Sequence, residues 1–560
     1  MGHENKEPDG TCNSITLADT SKIIKLVWYE KLNTTTSMFQ ELENIIEIDL
    51  SHFDTSLVTK MDKMFYQCKQ LTSIKFSNIN TSLVKTMESM FENCVVLNSI
   101  NLYSFDTSKV TTMKYMFNKC NKLITLNLSN FNTSSVEDMT GMFGESTSLL
   151  SLDISSFQTS KVKNMVSIFK QNKFESIDLS NFDTSLVTNM KRLFQDCKKL
   201  TSYDIFNFNT SLVSSMSYMF SGCEYFTSFK LSNFDFSSLN DISYMFSNCT
   251  NISYFYMPEL NTSTVTNMKG LFLNCTKLSS FNLSNFNTSS VEDMSYMFSG
   301  CTNLENFSMP DFYTSKVINI HKFLYGCTNL KSIDLSNINK LLIEDMSYLF
   351  SKCTNLEYFY IPDIDTSQVR NMTGLFSGCI NLTSFNISNF NTSLVEDMSY
   401  MFEECTSLEY IEIPYLNTSK VKNITGLFKD CKILTSCNLS NFDTFSVINM
   451  NSLFYGCSNL TSLDINHFDI SKVKDISSMF YNCKSLEFLN LSNFITSSLK
   501  EMNTLFYGCS NLTSLDISHF DTSNIKDMSY IFYNCKSLKY LNLSNFDTSF
   551  VKTMNSLFYG

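Results

Sequence analysis

Apolar positions recur along this chain with one fixed pattern. The fragment Met-x-x-Met-Phe appears as Met61…Met64-Phe65, Met87…Met90-Phe91, Met113…Met116-Phe117 and Met139…Met142-Phe143. Taking its last residue as an anchor gives 21 positions, from Phe39 to Phe558, with Leu324 the one anchor that is not Phe. Nineteen of the 20 intervals are 26 residues, and the interval from Phe169 to Phe194 is 25. A register held over the whole chain marks a repeat protein, so its length of 560 residues does not imply several globular cores.

The unit from Asp54 to Asn80 shows what one copy predicts. Val58, Met61, Met64 and Phe65 stand at offsets 0, 3, 6 and 7, which places four apolar side chains on one face of a short helix. Capping boxes are expected at Ser134 with Glu137, Ser289 with Glu292 and Ser393 with Glu396. Cys68, Leu71, Ile74 and Phe76 follow, and Ile74 and Phe76 alternate with Ser73, Lys75 and Ser77 as on a half-buried strand. The turn residue Phe53 recurs as Ile79, Phe105 and Phe131 and adds one more ring to the interior. One unit cannot bury its own apolar face, and stacking against the next copy does so. The expected fold is an α/β solenoid: a leucine-rich-repeat superhelix, with one parallel β-sheet on the concave face and short helices on the convex face. Residues 1–35 form a polar N-terminal segment and cap, and 36–560 the solenoid. About 21 strands at ~4.8 Å each give a length on the order of 100 Å.

A longer period overlies the first. Leu453 to Asp469 (LFYGCSNLTSLDINHFD) returns 52 residues later as Leu505 to Asp521 (LFYGCSNLTSLDISHFD). The duplicated element is therefore a pair of units. In the last copy, Met554 to Gly560 repeats Met450 to Gly456, after which Cys457 follows; the expectation is a truncated repeat array with an uncovered last ring.

Composition sharpens this reading. There are 50 Phe, 29 Met and 19 Cys against 14 Gly and 5 Pro, the imbalance a few refilled columns produce. Forty-two basic and 54 acidic residues leave a net charge of −12, and no local Lys/Arg run offsets it, which argues against nucleic acid as a partner. No stretch has the length and apolarity of a transmembrane segment. Met1 to Thr20 lacks the apolar core of a secretory signal, and Lys6 stands where a myristoylation motif wants Ser or Thr.

Seventeen cysteines form a column three residues after the anchors: Cys68, Cys94, Cys120 and every copy from Cys197 to Cys535, with Ser146 and Asn172 interrupting it. No C-x-x-C is present and the five His lie elsewhere, so zinc lacks both spacing and partners. A stack of such residues could pair as disulfides, but small buried hydrophobes, reduced, are the reading adopted. His52, His467 and His519 share a turn position where most copies have Asn, and are read as solvated substitutes. Asp and Asn alternate after the turn Phe (Asp54, Asn80, Asp106, Asn132), too few carboxylates for calcium. No catalytic, cofactor or metal constellation emerges, and no cofactor is expected.

With these residues in view, the unit C-x-x-L-x-x-I-x-L-S-x-F-D-T-S-x-V-x-x-M-x-x-M-F resembles the 26-residue repeats of the BspA-like leucine-rich-repeat surface proteins. These occur in bacteria such as mycoplasmas and lactic-acid bacteria and in some protists. The resemblance spans Thr36 to Gly560 and implies a leucine-rich-repeat fold with a role in surface display, adhesion or host contact. Family members often carry a signal peptide or lipid anchor, and neither is readable here.

Variation on the outward strand positions supplies the candidate site. Most copies are small and polar there, as in Ser280, Asn282 and Ser284. Mid-chain, every second copy changes: Tyr254, Tyr256 and Pro258; Asn306, Ser308 and Pro310; Tyr358, Tyr360 and Pro362; Tyr410, Glu412 and Pro414. Tyr254, Tyr256, Tyr358, Tyr360, Tyr410 and Glu412 are the candidate partner-binding residues, because solvated tyrosine offers contact area at low entropic cost. Lateral packing among strands would also account for tyrosine. Two functions follow: a surface-displayed adhesion module recognising a protein or other macromolecule, or a cytoplasmic scaffold for protein–protein interaction.

Overall fold

The protein is described by a computed structural model covering residues 4–6, 12–15, 31–205, 207–227, 234–256, 262–284, 286–309, 316–335, 342–360, 364–413 and 416–560. Within it, Val58, Met61, Met64, Phe65, Cys68 and Leu71 are wholly buried, Ile74, Phe76 and Ile79 nearly so, and most equivalent residues of the later described coils join them in one continuous core from Phe39 to Cys535, while Met554 and Phe558 of the last coil are exposed. Stacked rings run down its centre. Phe65 and Phe91 have centroids 5.5 Å apart and are inclined by 3°, and this contact repeats from Phe39 to Phe298 and from Phe350 to Phe558.

The strands are short, three residues each in the solenoid, and parallel. They join in twos with the register of one coil: Glu47–Asp49 with Ser73–Lys75, Tyr254–Tyr256 with Ser280–Asn282, Asn306–Ser308 with Ser332–Asp334, Tyr358–Tyr360 with Ser384–Asn386, and Tyr410–Glu412 with Ser436–Asn438. Outside the solenoid, Glu4–Lys6 pairs antiparallel with Cys12–Ile15.

The expected helices are absent: among the described residues no helix occurs. The segment Met61–Cys68 instead alternates two kinds of hydrogen bond. The N–H groups of Met61, Lys63, Phe65 and Gln67 donate to Thr86, Glu88, Met90 and Glu92 of the next coil, at 2.8–3.0 Å. Those of Met64, Tyr66 and Cys68 close turns onto Met61, Lys63 and Phe65. A helix needs every N–H to reach four residues back, and the left-handed backbone of Lys63 (φ 55°) and Gln67 (φ 58°) forbids it. Offsets 0, 3, 6 and 7 thus point inward for a different reason, as the corners of successive turns. The capping boxes fail with the helices. Asn132, Asn287 and Asn391 each accept the N–H of the residue two ahead, Ser134, Ser289 and Ser393, as Asx turns. Glu137 and Glu396 pair with Lys163 and Lys422 instead.

Two features tie coil to coil. The buried Thr of the Asp-Thr-Ser motif clamps the next copy: Thr81 Oγ1 accepts the Asp106 N–H (2.8 Å) and donates to the Asp106 carbonyl (2.9 Å). On the turn side, single-residue parallel bridges run without a break from Lys60 through Thr86, Asp138, Asn267, Asp345 and Asn423 to Glu501. This second ladder is longer than any run of paired strands.

The cysteine column is free thiols, buried throughout. Each S–H donates to the anchor carbonyl of the preceding coil, as Cys94 does to Phe65 at 3.2 Å. Where the column is interrupted, Ser146 Oγ and Asn172 Nδ2 make the same bond to Phe117 (2.7 Å) and Phe143 (2.9 Å). His467 and His519 are exposed, in keeping with solvated turn substitutes, and Nε2 of each lies 3.0 Å from the Leu439 or Leu491 carbonyl one coil back. They thereby reproduce the reach of Asn130 to Leu102 (3.1 Å).

Candidate functional site

The strand side presents the tyrosines found in the sequence. Tyr254, Tyr256, Tyr358 and Tyr410 are each about half exposed (51, 45, 56 and 50 %), Glu412 is exposed, and the residue between each flanking pair, such as Phe255 or Ile411, is buried. A period of two along the strand fixes this: the core takes the middle residue and the outer two must face away. Tyr360 lies on its strand at the same register as Asn386, and its side chain is outside the described residues, as are Pro258, Pro310, Pro362 and Pro414. These residues form a stripe along the coil axis, with no cluster. Tyr358 and Tyr410 are two coils apart, ~10 Å, and Tyr254 is four coils from Tyr358, ~20 Å. Polar strands such as Asn306–Ser308 separate them. Phe488 and Tyr540 extend the exposed aromatics toward later coils, 65 and 56 % exposed, and were missed because they fall in the other member of the 52-residue pair.

The turn side carries a second aromatic arrangement that the sequence reading passed over as helix surface. Tyr115, Tyr244, Tyr348 and Tyr400 each lay a ring across Gly141, Gly270, Gly374 and Gly426 of the following coil, where any Cβ would run into the ring. Further on, Tyr455, Tyr481, Tyr507, Tyr533 and Tyr559 stack face to face at 4.4–5.1 Å. Burial raises the hydroxyl pKa of Tyr481, Tyr507 and Tyr533 and pushes Tyr244 up to about 12. Aligning the units in columns would have revealed both features.

Among the described residues no group of three or more His, Cys, Asp or Glu is placed to hold a metal ion, and no helix is long and apolar enough to cross a membrane. The chemistry available is surface contact by aromatic rings, hydroxyls and scattered charges.

A family model described as a Mycoplasma protein of unknown function, DUF285, matches residues 33–151, 113–233, 145–258, 218–335, 256–357, 320–412, 409–489 and 486–560. The chain belongs to this family. DUF285 repeats tile it from end to end of the solenoid, in accord with the BspA-like resemblance. No curated protein matches the chain. Among solved structures it is similar to a leucine-rich repeat protein from Bacteroides ovatus, with 19 % identity over 83 % of this chain and 94 % of that one and a TM-score of 0.35. A leucine rich cell surface protein from Faecalibacterium prausnitzii shares 17 % identity over 61 % of this chain and 83 % of that one, with a TM-score of 0.34. A T. pallidum leucine-rich repeat protein shares 22 % identity over 30 % and 69 %, with a TM-score of 0.23.

Proposed function

We propose that this DUF285-family solenoid is a non-enzymatic binding protein, displayed at the cell surface, that recognises a protein or another macromolecule through its strand side. The observation that carries the reading is the stripe of half-exposed tyrosines on rigid three-residue strands. Ordered aromatic rings lose little entropy on contact, and partner surfaces are held by such anchors more than by area alone. A stripe repeated every two or four coils suits an extended partner better than a small ligand, which needs a concave pocket. Replacing Tyr254, Tyr256, Tyr358, Tyr360 and Tyr410 together by Ser should leave the circular dichroism spectrum unchanged and weaken capture of the partner at least tenfold. A collapsed fold would mean that these rings belong to the core. Impermeant labelling of intact cells separates display from the cytoplasmic scaffold, which would stay unmodified.

A further inference from the structure

The coil anchored on Leu324 departs from its neighbours at four consecutive positions. His321 stands where Ser295, Ser347, Thr373 and Ser399 occur, and Lys322 where Gly270, Gly374 and Gly426 occur. Phe323 and Leu324 exchange the usual aliphatic–Phe order. The core absorbs the exchange: the Phe323 ring packs edge-on against Phe298 and Phe307, at 5.4 and 5.7 Å, and takes up the break in the ring stack.

Outside the core the change has a chemical result. Lys322 Nζ lies over three tyrosine rings, 5.5 Å from Tyr296, 5.5 Å from Tyr325 and 5.1 Å from Tyr348. Lys269 Nζ approaches Tyr296 at 5.6 Å, and Lys352 Nζ approaches Tyr325 at 5.5 Å. His321 links the group, with Nε2 3.2 Å from the Tyr296 hydroxyl and Nδ1 2.5 Å from Ser347 Oγ. Among the described residues none of these three ammonium groups is within ion-pair distance of a carboxylate. Some other turn-side lysines are paired, Lys119 and Lys170 with Glu145 and Lys429 with Glu403, whereas Lys63 and Lys114 each lie over a single tyrosine ring. The nearby Asp293 and Asp345 are engaged by the Ser295 and Ser347 N–H groups. Three lysines without an ion-pair partner therefore gather on a chain whose net charge is −12, Lys352 being hydrogen-bonded to Tyr325.

We propose that this patch binds an acidic polysaccharide laid along the coil axis, its sulfate or carboxylate groups on Lys269, Lys322 and Lys352 and its hydroxyls on Tyr296, Tyr348 and His321. Charge spacing selects this class. The three lysines belong to coils two and then one apart, so the cations are stepped by ~10 and ~5 Å along the axis. Duplex DNA carries a charge every ~1.7 Å and would leave most of its phosphates against an acidic protein. A glycan with one acidic group every sugar or two has the sparser spacing, and its ring hydroxyls match the tyrosine and histidine donors. The site lies on the turn side, so it stands apart from the strand-side tyrosines and does not depend on them.

The test measures binding of heparin and hyaluronan oligosaccharides, neutral dextran, inorganic sulfate and single-stranded DNA to the full chain and to Lys322→Gly. Gly is the residue two coils away on either side (Gly270 and Gly374) at this left-handed position (φ 54°), so this variant should keep its melting temperature. At least one acidic oligosaccharide should bind, with affinity falling as salt rises, and Lys322→Gly should weaken it tenfold or more. His321→Ser, again the common residue of its column, should weaken it by a smaller factor, and Lys500→Ala, remote from the patch, should have no effect. The proposal is overturned if neither acidic glycan binds, if Lys322→Gly binds as the parent does, if Lys500→Ala is equally damaging, or if sulfate alone or DNA binds as tightly.

Discussion

The thiols of the cysteine column show how one repeated residue ties chemistry to packing. Burial is the largest cause raising them, to about 12 at Cys120, Cys275, Cys327 and Cys379, from an ordinary value of 9.0. A thiol held protonated by the fold favours the native state fully below pH 9, where the unfolded thiol is also protonated. That contribution is lost as pH rises from about 9 to about 12 and the unfolded chain alone gives up its protons. The melting temperature should therefore be flat in this respect up to pH 9 and drop steeply beyond it. Thiol reagents should be slow on the native protein at pH 8 and fast in denaturant. Rapid native labelling of many thiols would refute the burial. This column was legible from spacing alone, because a small apolar residue at a fixed offset has few other uses. The hydrogen bond from each Sγ to a carbonyl one coil back was not, since it depends on how the turn is made.

At the level of the element, the strand was readable and the helix was a misreading with a physical cause. Alternation at Ser73, Ile74 and Lys75 has one interpretation, whereas offsets 0, 3, 6 and 7 fit both a helix face and a chain of turns with inward corners. What distinguishes the two is the left-handed residue at Lys63 and its equivalents, among them Gly270, Gly374 and Gly426. Glycine recurring in alternate copies at one offset was the available signal. Gly374 gives the sharpest check, because its backbone is left-handed (φ 58°) and the Tyr348 ring covers its Cα. Gly374→Ala should cost about 1–2 kcal/mol for the left-handed backbone and ~1–3 kcal/mol more for displacing the ring. Adding Tyr348→Ser should recover the second part in denaturant unfolding. If the double variant is no more stable than the single one, the ring is not what makes glycine necessary. The candidate stripe was half legible in the same sense: Tyr254, Tyr358 and Tyr410 followed from alternation, while the Lys322 patch needed knowledge of which turn residues meet across coils.

For the whole molecule, the 52-residue period coincides with a structural pair in the middle of the chain. In each pair from Tyr254 to Asn438, a first strand bonds to a second one coil on. In three of them, at Tyr244, Tyr348 and Tyr400, a tyrosine of the first coil also covers a glycine of the second. The turn-side bridges, by contrast, cross every junction from Lys60 to Glu501 alike, and threonine clamps recur both inside pairs and between them. Such a molecule has a mechanical character. Pulled from its ends along the axis, it carries load through lateral bonds in series, so the weakest junction yields first and the rest stay folded. Among the described residues from Tyr254 to Asn438 the strand ladders lie inside pairs, so there the weakest junctions are the boundaries between pairs. A freed pair of 52 residues lengthens the tether by at most ~180 Å, and a freed single coil of 26 by ~90 Å. Single-molecule extension should show steps of the larger size through the middle of the chain, and uniform steps of the smaller size would show that the pairs have no mechanical standing. A protein that yields in this way lets out slack under shear while most of its surface remains in place, acting as a ratcheted shock absorber between whatever it joins.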